Sequence, residues 1–235
     1  MGLQIKEFRD RSEAGQQLAA HLSQYADRAD VLVLGLPRGG VPVAFEVAKA
    51  LHAPLDICLV RKLGVPAHKE LAMGAIASGG VRILNYDVIN WLGISSKTID
   101  EVAARELREL QRRDRAYRGH RDQPDVRDRT IILVDDGIAT GSTMLAAIAV
   151  LREQHPRAIV VAVPVAEASI CKTLKQQVED VVCVMTPGEL YSISLWYKNF
   201  AQTTDQEVQA LLSHCFWLTH QMPVKTTPET AEVVS

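Results

Sequence analysis

Short apolar runs rich in Val and Ile alternate along this chain with stretches of helical period, and that alternation narrows the fold more than any single motif. The runs are VLVLGL (31–36), LDICLV (55–60), AMGAIA (72–77), VRIL (81–84), TIILV (130–134), AIVVAVPV (158–165) and VVCVM (181–185). Such runs suit strands buried on both faces. Helices are expected over 12–27, with Ala14, Leu18, Leu22 and Tyr25 on one face, over 41–51 with Pro42 in its first turn, and over 142–153. Another, over 204–219, opens with Thr204 and Glu207 in capping-box spacing. Together they predict an α/β fold, a doubly wound and mostly parallel sheet flanked by helices. Residues 86–129 interrupt the alternation with a charge-dense, largely helical insertion. Residues 1–220 read as a single domain, and 221–235, with little apolar pattern, are expected to fray.

Composition excludes some function classes. A formal charge of -2 over 235 residues gives no global field to attract nucleic acid or a membrane. No uninterrupted apolar run approaches the roughly 20 residues of a membrane helix. Cys58, Cys171, Cys183 and Cys215 are scattered without a CxxC pair, and the N-terminus resembles no signal peptide, so reduced thiols and a cytoplasmic location are expected. Over 97–129, 10 Lys plus Arg face 8 Asp plus Glu, an excess of two. That fits a solvated helix with pairs such as Glu101 with Arg105 and Glu109 with Arg113; a basic face for RNA is the competing reading.

The chemistry concentrates in IILVDDGIATGST (131–143). IILV is a buried strand and MLAAIAVL a helix, so the polar residues fall at the strand's carboxyl end and the helix's amino end, where open α/β sheets bind ligands. Free N–H groups there suit a phosphate, Gly137 and Gly141 let the backbone approach and turn, and Thr140, Ser142 and Thr143 add hydroxyls. No Lys precedes the Ser or Thr as a Walker loop requires, and GxGxxG is absent. Asp135 and Asp136 would instead accept hydrogen bonds from vicinal hydroxyls. A ribose 5-phosphate satisfies both halves: diol on the acids, phosphate in the loop. In VLVLGLPRGGVPVA (31–44), Arg38 is a fixed cation, and Gly39 and Gly40 free backbone N–H groups to face an anion; a PRGG turn with an exposed Arg is the plainer reading. In LVRKLGVPAHKELAMGAIA (59–77), Arg61, Lys62, His68 and Lys69 surround Gly64 and Pro66, either as ligand-facing cations or, for the lysines, as hairpin surface charges.

Apolar residues, two acids and ATGST resemble the phosphoribosylpyrophosphate (PRPP) motif of type I phosphoribosyltransferases, and residues 30–200 look like their catalytic domain. The resemblance implies that Asp135 and Asp136 hold the ribose 2- and 3-hydroxyls and that Gly137, Ile138, Ala139, Thr140, Gly141, Ser142 and Thr143 hold the 5-phosphate. It implies that Arg38, Gly39, Gly40 and Lys69 bind pyrophosphate, with a cis peptide at Pro37–Arg38, and that 59–77, with Arg61 and Lys62 foremost, is a mobile loop closing over PRPP. A small hood at 186–200 would read the acceptor, with Trp196, Tyr197 and Phe200 either stacking on it or packed in the core. Mg²⁺ would arrive on PRPP, with Asp135 and Asp136 at most touching its waters. The implied reaction transfers the phosphoribosyl group to a nitrogen acceptor of nucleobase type, releasing pyrophosphate; a PRPP-sensing regulator of the same fold, binding RNA, is the alternative. Ala139 stands where hypoxanthine-guanine members carry Asp, which argues against that branch; adenine-type and orotate-type members have Ala there too. RKLGVP, ELAMGAIA, Tyr117–Arg118–Gly119 and LWYKNFAQTTDQEV look closest to a bacterial branch without a named acceptor. A homodimer is the family's common state.

Overall fold

The structure, a computed structural model, describes residues 7–66 and 68–221, the side chains of 69, 70 and 216–221 excepted. The expectation for 221–235 therefore lies outside the described residues, apart from the backbone of Gln221. A parallel five-stranded sheet contains β1 (Val31–Gly35), β2 (Leu55–Ile57), β6 (Thr130–Val134), β7 (Ala158–Val165) and β8 (Asp180–Met185), in the order β2-β1-β6-β7-β8. Side-chain alternation explains the Val/Ile-rich runs: Val31 and Val33 with Ile132 and Val134 enter the core on one face, while Leu32 and Leu34 with Ile131 and Leu133 enter the core on the other. This is the expected doubly wound α/β fold.

Helices cover both faces. On one lie α1 (Arg11–Ala20), α2 (Gly40–Leu51) and α7 (Asp205–Gln221); on the other, α5 (Ser142–Arg152) and α6 (Ala168–Leu174). Asp10 caps α1 by accepting from Glu13 N at 2.9 Å, and Thr204 caps α7 by accepting from Glu207 N at 3.1 Å. The expected helix at 12–27 ends at Ala20, and its last part is a 3₁₀ turn, Ser23–Tyr25, that still buries Leu22 and Tyr25.

The runs at 72–77 and 81–84 differ from expectation. They do not join the parallel sheet. β3 (Val60–Val65), β4 (His68–Ala77) and β5 (Arg82–Leu84) form a separate antiparallel sheet. Connection length decides this, because only residues 66 and 67 link β3 to β4, whereas a parallel crossover needs a dozen or more. Within the insertion, α3 (Tyr86–Leu92) and α4 (Ser96–Arg118) form, the latter capped by Ser95 and ended at Gly119. Arg118 anchors α4 to the main sheet: its Nε donates to Asp56 Oδ1 at 2.8 Å and Nη2 to the Ile57 carbonyl at 2.6 Å. All described cysteines are free; the Cys171 and Cys183 sulfurs lie 3.2 Å apart. No described helix is long and apolar enough to cross a membrane.

Candidate active site

Strand order places the site. The chain leaves β1 for β2 on one side of the sheet and runs from β6 through β7 to β8 on the other, so a crevice opens between the carboxyl ends of β1 and β6. The loop after β1 carries Pro37–Arg38–Gly39 and the loop after β6 carries 135–141. Both meet in that crevice.

The acid pair is sterically matched to the first loop. Gly39 has a backbone any residue adopts (φ -63°, ψ -32°), yet a Cβ there would overlap Asp136 Oδ2. At Gly40 a Cβ would lie 2.7 Å from the Val134 carbonyl and 2.8 Å from Asp135 Cα. Both glycines thus let β1's loop lie directly on the acids, a reason additional to the freed N–H groups. The Pro37–Arg38 peptide is cis, as the resemblance implies.

Asp136 is buried and held from three sides. Arg11 Nε, from the start of α1, donates to its Oδ2 at 2.8 Å, the Tyr197 hydroxyl donates to its carbonyl at 2.6 Å, and its own N–H donates to Asp135 Oδ1 at 2.9 Å. Arg11 is fixed in turn, with Nη1 donating to the Ala201 carbonyl at 2.7 Å and its guanidinium 4.0 Å from the Phe200 ring centre. Nothing local in the sequence marks Arg11, which lies 125 residues from Asp136. Its side chain and that of Asp136 are each 12% exposed. Arg11→Ala strands a nearly buried carboxylate and is expected to cost about 2 kcal/mol of stability. Urea unfolding checks this; an unchanged midpoint would show that the pair contributes nothing net.

Burial, and next the neighbouring Asp136 carboxylate, push Asp135 well above the ordinary carboxylate range. Its proton is therefore favoured in the fold. The associated stability is complete below the unfolded value of about 3.9 and is lost as pH rises toward the elevated native one. Asp135→Asn needs no proton, so the variant should melt above the parent at pH 8 and near it at pH 4. The same difference at both pH values would contradict this.

After the acids, the chain forms a hollow of 190 Å³ lined by Asp135, Gly137, Ala139, Thr140, Ser142 and Thr143 among others. Gly141, at φ 73°, turns the chain into α5, whose first N–H groups border the hollow. A Cβ at Gly137 would lie 2.8 Å from Ile193 Cγ2, which also lines it. Thr140, Ser142 and Thr143 are exposed, with the Thr140 and Ser142 hydroxyls 3.3 Å apart. Hydroxyls, glycines and a helix amino end surround a space of the right kind for a phosphate.

The expected cations distribute unequally. Arg38 Nη1 lies 3.5 Å from Asp205 Oδ1 at the start of α7. Residues 59–77, expected as a loop, are the β3–β4 hairpin, so Arg61 and Lys62 lie inside β3 rather than after a strand. Neighbours in a strand point to opposite faces. Arg61 turns toward α4, where its Nε pairs with Glu106, and Lys62 shares the face of Val60, which packs on α5. Only Arg61 of the two borders a cleft with Pro37 and Thr143. His68 is exposed, and the Lys69 side chain is outside the described residues.

The hood aromatics are mainly internal. Tyr197 is 5% exposed, its ring centre 5.4 Å from Phe8 and 5.0 Å from Phe200, and it is not available to stack on a ligand. Phe200 faces Arg11, and Trp196 is partly buried against the same cluster. The exposed aromatic of this segment is Tyr191, at 86%.

Residues 2–189 match the family model described as the phosphoribosyl transferase domain. The chain belongs to this family. Two curated proteins of Mycobacterium tuberculosis, from strains CDC 1551 and H37Rv and each named "Putative phosphoribosyl transferase", are 48% identical over 208 residues, or 88% of this chain. The chain spans 47% of the length of these relatives. A crystal structure of a Thermus thermophilus protein superposes with a TM-score of 0.80 at 39% identity, covering 88% of this chain and 98% of that one. In this phosphoribosyl transferase domain, the β1 and β6 loops and the acid pair all lie within the matched residues.

Proposed function

We propose that the domain transfers the 5-phosphoribosyl group of PRPP to a nitrogen acceptor of nucleobase type. The observation that carries this is the contact of the two glycine-bearing loops on the acid pair, with Gly39 lying on Asp136 and the 137–143 hollow opening beside Asp135. Asp135 and Asp136 hold the ribose hydroxyls, residues 137–143 the 5-phosphate, and Arg38, Gly39 and Gly40 the pyrophosphate, with Arg61, Lys62 and Lys69 as further cations of the hairpin. At the anomeric carbon the bond to the pyrophosphate oxygen breaks, a bond to the acceptor nitrogen forms, and that nitrogen's proton leaves to solvent. The chain contributes position and electrostatics, which are worth most where charge develops.

Among the described residues no group of three or more His, Cys, Asp or Glu could cage a metal. A paired carboxylate beside the hollow fits Mg²⁺ that enters with PRPP, touched by Asp135 and Asp136 through water. Held there by Asp135 and Asp136, the ion would supply charge neutralisation for the leaving pyrophosphate. For the acceptor, Ile193, which lines the hollow, is better placed than the buried Tyr197. The RNA-binding alternative draws no support from Arg105, Arg112 and Arg118, each of which pairs with a carboxylate. A single domain over residues 1–220, a homodimer and a cytoplasmic setting belong to the same reading. Mg²⁺-dependent pyrophosphate release from PRPP against a panel of purines, pyrimidines and related amines tests it. Release with one member names the acceptor; tight PRPP binding without release on any member would favour a sensor.

A further inference from the structure

The helix α4 turns a stripe of Ile99, Val102, Ala103, Glu106, Leu110 and Tyr117 toward the rest of the molecule, at spacings of three and four. Arg113 falls within that stripe, three residues after Leu110 and four before Tyr117. Its side chain is 33% exposed, against 59% for Arg112 beside it. A charged group on the inward stripe of a helix needs a physical reason, because it loses water there. Glu106 has one in Arg61 and Arg105. Arg113 has one carboxylate on its own helix: Nε donates to Glu109 Oε1 at 2.8 Å, a carboxylate that Arg112 also holds. Among the described residues no acceptor bonds to its two terminal nitrogens.

What Arg113 does face is the junction of the two anion loops. With Leu36, Pro37, Arg61 and Thr143 it lines a cleft of 30 Å³, so it stands between the turn after β1 and the first turn of α5. Arg38 lies next to Pro37 in sequence, and its Nη1 is 3.5 Å from Asp205 Oδ1. The Tyr117 hydroxyl donates at 2.8 Å to the same Asp205 Oδ1. Burial, then Asp205, push Tyr117 up to about 12, while Arg113 and Arg38 both act in the opposite direction. Arg61 of β3 and Arg113 of α4 thus flank one cleft with Pro37 and Thr143, and Arg38 follows Pro37 directly in the β1 loop.

We propose that Arg113 is a pyrophosphate-binding residue contributed by the insertion helix, completing with Arg38 and Arg61 a cationic wall for the leaving group. This rests on the phosphoribosyl-transfer reading and gives the insertion a part in it. Pyrophosphate gathers negative charge as its bond to the ribose breaks, and a guanidinium in a narrow cleft offers it two parallel donors. The β3–β4 hairpin and α4 would then act as one unit, with Glu106 orienting Arg61 and the stripe position orienting Arg113.

The test is calorimetric binding of Mg²⁺-pyrophosphate and, separately, of ribose 5-phosphate to the parent chain, Arg113→Ala, Arg113→Gln and Arg115→Ala, the last on the exposed far side of α4. Arg113→Ala and Arg113→Gln should each weaken pyrophosphate at least ~10-fold while leaving ribose 5-phosphate unchanged, and Arg115→Ala should change neither. Gln keeps most of the side chain's packing, so it decides the matter if the Ala variant unfolds. Parent-like pyrophosphate affinity in the Gln variant, equal weakening of both ligands, or a matching loss in Arg115→Ala would each overturn the proposal. A parent chain that binds neither ligand would instead overturn the functional reading beneath it.

Discussion

Replacing Asp135 and Asp136 together by Asn is expected to lower turnover about 1,000-fold while the chain still folds. Each acid would hold a ribose hydroxyl, Asp136 by a charge-assisted bond worth about 1.5–3 kcal/mol and Asp135, whose proton is favoured, by one worth about 0.5–1.5 kcal/mol, so that the two losses amount to up to about 4 kcal/mol on the barrier. Folding should survive for reasons specific to this pair. Asp135 already resists ionisation in its buried position, so a neutral amide suits it. At the second position the amide of Asp136→Asn would keep an oxygen for Arg11 Nε, and the main-chain carbonyl that accepts the Tyr197 hydroxyl is untouched. Steady-state pyrophosphate release, with circular dichroism of the same sample, measures both halves. Turnover within a few-fold of the parent would remove the acids from the site.

Gly39→Ala is expected to be nearly as damaging for a purely steric reason. The φ and ψ of Gly39 are those of an ordinary helical residue, so the backbone admits Ala without strain. The obstacle is Asp136 Oδ2, which the new Cβ would overlap. That oxygen cannot simply swing aside, because Arg11 holds it at 2.8 Å and Arg11 is itself clamped by Phe200 and Ala201. Either the acid or the Arg38 loop must move by a fraction of an ångström to an ångström, and displacements of that size cost on the order of 100-fold in rate. Gly188→Ala, where a Cβ would meet nothing within 4 Å, is the matched control and should be silent. Comparing kcat/KM for the two variants measures the effect; equal values would show that the loop and the acids are not in register.

The fold was legible where the signal is local. β6 runs from Thr130 to Val134 and β7 from Ala158 to Val165, the bounds of their apolar runs, because strands covered on both faces leave a continuous stretch of Val, Ile and Leu. The acids and glycines that follow β6 are adjacent in sequence, so their juxtaposition needed no tertiary information. AMGAIA is just as apolar, but its partner is set by a two-residue connection rather than by its own pattern, and it belongs to the antiparallel sheet. Arg11 and Glu106 were illegible for another reason. Each meets its partner across long sequence separations, Arg11 with Asp136 and Glu106 with Arg61, and a solitary charge in a helix carries no mark of where it points. Glu106 did leave a trace, a carboxylate in line with Ile99, Val102, Ala103 and Leu110, and the same trace at Arg113 is visible only once that stripe is known to face inward. Tyr197 shows the converse: an aromatic in the hood suggests a ligand, yet its hydroxyl serves the Asp136 carbonyl and its ring the cluster with Phe8.

The decisive measurement is a calorimetric titration of PRPP with Mg²⁺ into the parent chain and into the Asp135→Asn, Asp136→Asn double variant. Saturable one-site binding to the parent, abolished or weakened at least ~100-fold in the folded variant, is the expected result. No binding to the parent, or equal binding to both, would contradict the assignment of the acid pair and its two glycine loops as a PRPP site.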